Sequence, residues 1–93
     1  MRTRKRGYEL KEGLTVDEVI ESARKGDSEA EMALYCAAMV TYPELAEDLY
    51  ESIRKNLSYD YMDRYMHPIH INKGSFYAYR RKTLSIYAIM MNL

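Results

Sequence analysis

Apolar residues recur along this chain at steps of three and four, in successive blocks. Val16, Val19, Ile20 and Ala23 make the first, and Met32, Ala33, Tyr35, Cys36, Met39 and Val40 the second. Leu45, Leu49, Tyr50, Ile53 and Leu57 follow, then a short block from Tyr59 to Met66, then Phe76, Thr83, Leu84, Tyr87, Ala88 and Met91. That spacing sets each group along one side of a helix. No stretch alternates with period two for long enough to form a sheet. The pattern predicts an all-α fold, a small single-domain helical bundle of about five helices over residues 15–93, with residues 1–14 as a basic arm and lead-in.

The polar positions between the blocks mark where each helix starts. Thr15 and Glu18 have the spacing of a capping box, as do Ser28 with Glu31 and Thr41 with Glu44. Ser58 and Asn72 are suitable caps for the last two helices. Gly26 ends the first helix, and Pro43 is tolerated in a first helical turn because its missing N–H has no partner to lose. Pro68 breaks the chain after the fourth block, leaving a turn from His67 to Ile71. The second helix is apolar around most of its girth, which predicts a central position. On the third, Glu44, Glu47, Asp48 and Glu51 are expected to face water, and Tyr8 and Leu10 are expected to anchor the lead-in.

Composition narrows the picture. The chain has 93 residues, 47% of them hydrophobic and 30% charged, with only two prolines and four glycines, a globular and helix-favouring balance. No apolar run approaches a membrane span and no signal-peptide core is present, so the chain reads as soluble and cytoplasmic. Its single cysteine, Cys36, cannot form an internal disulfide and is expected to be a buried, inert thiol. The net charge is zero, yet it is segregated. Arg2, Arg4, Lys5 and Arg6 give the first six residues +4. All 14 acids fall within residues 7–63, which carry −9, and residues 64–93 hold five bases and no acid. Local field, rather than net charge, governs approach to a phosphate backbone.

Candidate chemistry is sparse. His67 and His70 are the only histidines, and no cysteine lies near them in sequence, so no metal site is predicted. The chain has no phosphate-binding glycine loop and no nucleophile elbow. Neither an enzyme nor a cofactor is expected. Ten tyrosines fill a small core while keeping a hydroxyl for the surface, and some suit a contact surface.

The stretch from Asn72 to Met91 points most clearly to function. Its apolar stripe predicts a buried back, while Lys73, Ser75, Tyr77, Ala78, Arg81 and Lys82 fall largely away from the stripe, near the N-terminal half. A hydroxyl- and cation-bearing front at the first turns is the layout of a recognition helix in the DNA major groove. Residues 66–84, MHPIHINKGSFYAYRRKTL, resemble the C-terminal helix-turn-helix of phage-encoded transcriptional regulators of the ArpU/RinA type, which are similar to region four of sigma factors. The matching positions are Pro68, Ile69, Ser75, Phe76, Tyr77, Tyr79, Arg80, Arg81, Lys82 and Leu84. The chain departs at Gly74, where the family tends to have a polar side chain, and at Ala78, where a basic residue is frequent.

The resemblance covers about the last third of the chain. It implies a helix-turn-helix-like unit over residues 58–91 and a transcriptional regulator of phage or mobile-element type that binds double-stranded DNA. Lys73, Ser75, Tyr77, Arg81 and Lys82 are the expected DNA-contacting residues. Arg80 is expected to lay its stem over the core and reach solvent. Arg2, Arg4, Lys5 and Arg6 would form a basic arm along the DNA, and the acidic middle would meet RNA polymerase or another protein. A homodimer is a further expected assembly. The competing expectation is a helical protein–protein interaction module that uses the acidic surface of residues 7–63 without binding DNA.

Overall fold

Each helix begins where a short polar side chain satisfies a backbone donor that the helix itself leaves free. The computed structural model describes Leu10 and residues 12–93, so Tyr8 and the basic arm of Arg2, Arg4, Lys5 and Arg6 lie outside the described residues. Helix α1 spans Val16–Lys25, α2 Ser28–Thr41, α3 Ala46–Arg54, α4 Tyr59–Tyr65 and α5 Lys73–Met90, with a 3-10 turn at Pro43–Leu45. The fold is all-α, and no strand occurs among the described residues.

The predicted capping box at α1 forms. Thr15 Oγ1 accepts the Glu18 N–H at 3.2 Å, and the Glu18 carboxylate accepts the Thr15 N–H at 2.9 Å. Ser58 caps α4 by accepting from the Tyr61 N–H, and Asn72 caps α5 by accepting from the Ser75 N–H at 2.8 Å. Two predicted boxes do not form. At α2 the cap is Asp27, one residue earlier than Ser28, and its carboxylate accepts the N–H groups of Glu29 and Ala30. Thr41 is the last residue of α2 rather than the cap of α3, because its hydroxyl donates to the Ala37 carbonyl at 2.9 Å. The break falls at Tyr42, whose backbone is extended, as steric conflict with the Pro43 ring requires.

Gly26 ends α1, with an extended backbone rather than a left-handed one. Its need for glycine is one of space. A Cβ there would collide with the Ala30 side chain and sit 2.8 Å from the Ser22 carbonyl. The left-handed positions that follow helices, among the described residues, belong to Asn56 and Asn92. Each follows a helix end and lets the next amide reach back, Leu57 N–H to the Ser52 carbonyl and Leu93 N–H to that of Ala88.

The core forms two clusters joined by α5. The first gathers Val19 and Ala23 of α1, Leu34 and several alanines of α2, Ile53 of α3, and Leu84, Tyr87 and Ala88 of α5. The second holds Ala38, Leu45, Ala46, Leu49, Met62, Ile69 and Phe76. Thr83 is buried, and Met91 packs against the first cluster, so the predicted stripe of α5 does face inward. A hydrogen bond of 2.8 Å between Ser22 Oγ and the Tyr87 hydroxyl fixes α5 to α1. Arg54 joins three elements, donating to the carbonyls of Ala23 and Gly26 and pairing with Glu31 at 3.0 Å.

Helix α2 is central, as predicted, but its inward face is a different one. Ala30, Ala33, Leu34, Ala37 and Ala38 are buried, whereas Met32, Tyr35, Met39 and Val40 are exposed, and so is the Cys36 thiol. Small side chains let neighbouring backbones approach closely, and the bulkier apolar residues are left outside. Val16 is likewise 45% exposed. Asp48, expected in water, is buried and takes a histidine partner. No helix among the described residues is long and apolar enough to cross a membrane.

Candidate nucleic-acid interface

Helices α4 and α5, with the connection Met66–Asn72, form the C-terminal unit that the sequence singles out. Six contacts hold α4 and the connection in place. The Tyr77 hydroxyl accepts the N–H of Tyr59, the first residue of α4, at 3.0 Å, satisfying a donor at that helix start. Tyr59 in turn donates its hydroxyl to the Ile71 carbonyl at 2.6 Å, and the rings of Tyr59 and Phe76 meet edge to face. Asp63 accepts the Ile69 N–H at 2.8 Å, which seats Ile69 in the second cluster. His67 Nε2 lies 2.8 Å from Asp48 Oδ1, while its Nδ1 lies 3.1 Å from the Pro68 carbonyl.

Both ring nitrogens of His67 therefore face acceptors, and only the imidazolium donates to both at once. The carbonyl of Pro68, followed by the nearby Asp48 carboxylate, holds its pKa above the ordinary histidine value. His67, which the sequence offered only as a turn residue, ties the connection to α3. Neither this partnership nor those of Tyr59 and Asp63 has a local signal in the sequence, because each partner lies six or more residues away.

The five predicted contact residues divide by geometry. Lys73 lies at the first position of α5, exposed, with its ammonium 2.8 Å from the Asp60 carboxylate. That hydrogen bond and the carboxylate charge raise its pKa. Ser75 is half-buried, and its backbone N–H is held by the Asn72 cap. Tyr77 is half-buried, and the bond to Tyr59 makes it first a positioning residue for α4. Arg81 is exposed one turn further along, and Lys82 beside it is half-buried. Gly74 is exposed, and a side chain there would meet only the Asn72 carboxamide at 3.5 Å, an ordinary contact.

Arg80 turns inward instead of reaching solvent. Its Nε donates to Ser52 Oγ at 2.9 Å, its guanidinium lies 6.0 Å from the Tyr77 ring centre, and burial lowers its pKa. Ser52 passes the connection on by donating to the Leu57 carbonyl at 2.7 Å. Arg80 is thus a link between α5 and the end of α3, and not part of the outer cationic front.

The surface field follows from these pairings. Both acids of α4 are engaged, Asp60 with Lys73 and Asp63 with the Ile69 amide. The outer side of α4 presents Tyr61, Arg64 and Tyr65, the two tyrosine rings 5.2 Å apart. The first turn of α5 contains no acid, whereas the first turns of α1 to α4 each contain at least one. No group of three or more histidine, cysteine or acidic side chains among the described residues is arranged to hold a metal ion. No protein-family model, no curated protein sequence and no solved structure matches the chain.

Proposed function

We propose that the chain is a DNA-binding transcriptional regulator whose α5 presents its N-terminal half to duplex DNA. The observation that carries this reading is the makeup of that half-helix. Its back is fixed by Phe76 and Arg80, while its front shows exposed Lys73, Gly74 and Arg81 with half-buried Ser75, Tyr77, Ala78 and Lys82. A helix start carries partial positive charge and free N–H donors, so an acid-free first turn with an open glycine suits an approaching phosphate. Arg64 on α4 extends the cationic surface. Lys73 and Arg81 would take phosphate, with Lys73 exchanging the exposed Asp60 carboxylate for it, and Lys82 would join them. Ser75 and Tyr77 stand nearer the helix start, where base edges are met.

One feature sets the expected strength of sequence reading. Gly74 and Ala78 offer no long polar side chain, and the hydroxyl of Tyr77 already accepts a bond. Few bases would be read, and phosphate contacts would dominate affinity. The connection Met66–Asn72 is longer than the three- to four-residue turn usual in a helix-turn-helix. The reading therefore rests on the face of α5 and not on the turn.

The test is binding of the full chain to random-sequence duplex DNA across a range of salt. Affinity that falls as salt rises, with a log–log slope reduced by roughly one in Arg81→Ala, supports the proposal. Absence of binding at low salt contradicts it.

A further inference from the structure

Helix α2 carries two apolar stripes, and only one enters the core. Met32, Tyr35, Cys36, Met39 and Val40 follow one another at helical spacing along its outer side, with Met32 at 69% and Val40 at 68% exposure. No charged residue interrupts this stretch between Met32 and Val40. On one flank, Met32, Tyr35, Cys36 and Tyr50 of α3 line an open groove of about 400 Å³ with Glu31 at its rim. On the other flank, Met90 and Met91 border Met32 and Cys36, with Glu29 beside them. A contiguous apolar face left exposed on a small protein suits an interaction site.

Charge decides which partner fits. The Glu31–Arg54 pair and the Tyr35–Tyr50 ring contact set α2 and α3 in antiparallel register. Continuing that register puts exposed Glu47 beside the turn that holds Met39. Glu29 and Glu47 thus border the stripe on opposite sides, near its two ends. A second copy of the chain would bring such carboxylates against their own kind, whereas cationic side chains would complement them. The groove between two antiparallel helices accepts a third helix, and flexible methionine side chains adapt to the residues that enter. We infer that the outer face of α2 docks an amphipathic helix whose apolar stripe is bordered by lysine or arginine. The stretch from Met32 to Val40 spans roughly 12 Å at 1.5 Å per residue, room for two to three turns of such a helix. The site lies on α2, α3 and the C-terminal end of α5, apart from the N-terminal half of α5, and does not depend on DNA binding.

The probe is a synthetic 18-residue helix of leucine and lysine, with leucines at steps of three and four, paired with a version carrying glutamate for lysine. The full chain is labelled at its methionine methyl groups and titrated by NMR. The lysine peptide is expected to shift the Met32, Met39 and Met90 methyls, leave buried Met62 in place, and bind at least tenfold tighter than the glutamate peptide. Met39→Lys and Glu47→Lys, both at exposed positions, should each weaken binding at least fivefold while the circular dichroism spectrum is unchanged. Equal affinity for the two peptides overturns the proposal, as do shifts that spare Met32 and Met39. A dimer of the chain alone by sedimentation equilibrium, dissolved by Met32→Glu, would give the face to a second copy and also overturn it.

Discussion

At the scale of single residues, His67 makes a pH-dependent contribution to stability. Its folded pKa lies above the ordinary 6.5. A group raised in this way stabilises fully below its unfolded pKa, and the contribution is lost as pH rises through the folded value. The side chain is 54% exposed, so water screens the pair and the effect is modest. His67→Gln should therefore lower the melting temperature more at pH 5.5 than at pH 8, as read by thermal denaturation of both chains. Equal losses at the two pH values would show that the Asp48–His67 contact adds nothing through charge.

Gly26 gives a second test at this scale. Its φ of −70° suits any residue, so only the crowding by Ala30 and Ser22 demands glycine. Gly26→Ala is expected to cost about 1–3 kcal/mol by overpacking the α1–α2 junction, measured by urea denaturation. A neutral effect would mean that the two helices separate freely there. The sequence marked this glycine as a helix terminator and was right about its place. The steric reason was out of its reach, because it depends on how closely α2 returns against α1.

At the scale of elements, the start signals were legible where one side chain had one role. Thr15, Ser58 and Asn72 cap their helices as their identity predicts. The pattern misled where two neighbouring polar residues competed. Asp27 displaced Ser28, and Thr41 bonded backward to Ala37 rather than forward. Helix α2 shows the deeper difficulty. With apolar residues on both faces, periodicity identifies a helix but not its inward side, and the alanines won because close packing favours small volume. Helix α5 raised no such conflict. Leu84 is 2% exposed within the first cluster, so Leu84→Ala should cost on the order of 2–5 kcal/mol in equilibrium unfolding. A loss below about half a kcal/mol would mean that α5 is not a core element.

For the whole molecule, charge is divided between an acidic middle and a C-terminal stretch of five bases without an acid. This division was fully legible in the sequence. The engagement of α4's acids by Lys73 and the Ile69 amide was not, since it depends on how α4 sits against α5. Placement separates the five bases into structural Arg80, bound to Ser52, and an outer group of exposed Arg64, Lys73 and Arg81 with half-buried Lys82. The proposed interface depends on that outer group and on the open start of α5.

The most direct test of this interface is DNA binding by Gly74→Glu. The position is exposed and roomy, and an acid in a first helical turn is favoured by the helix dipole. Replacing glycine also removes its cost to the helix, so the variant should melt at the same temperature as the parent or above it. If α5 meets phosphate at its start, the added carboxylate should weaken binding to random duplex DNA at least tenfold at low salt. A folded Gly74→Glu variant that binds DNA as tightly as the parent would contradict the proposed interface.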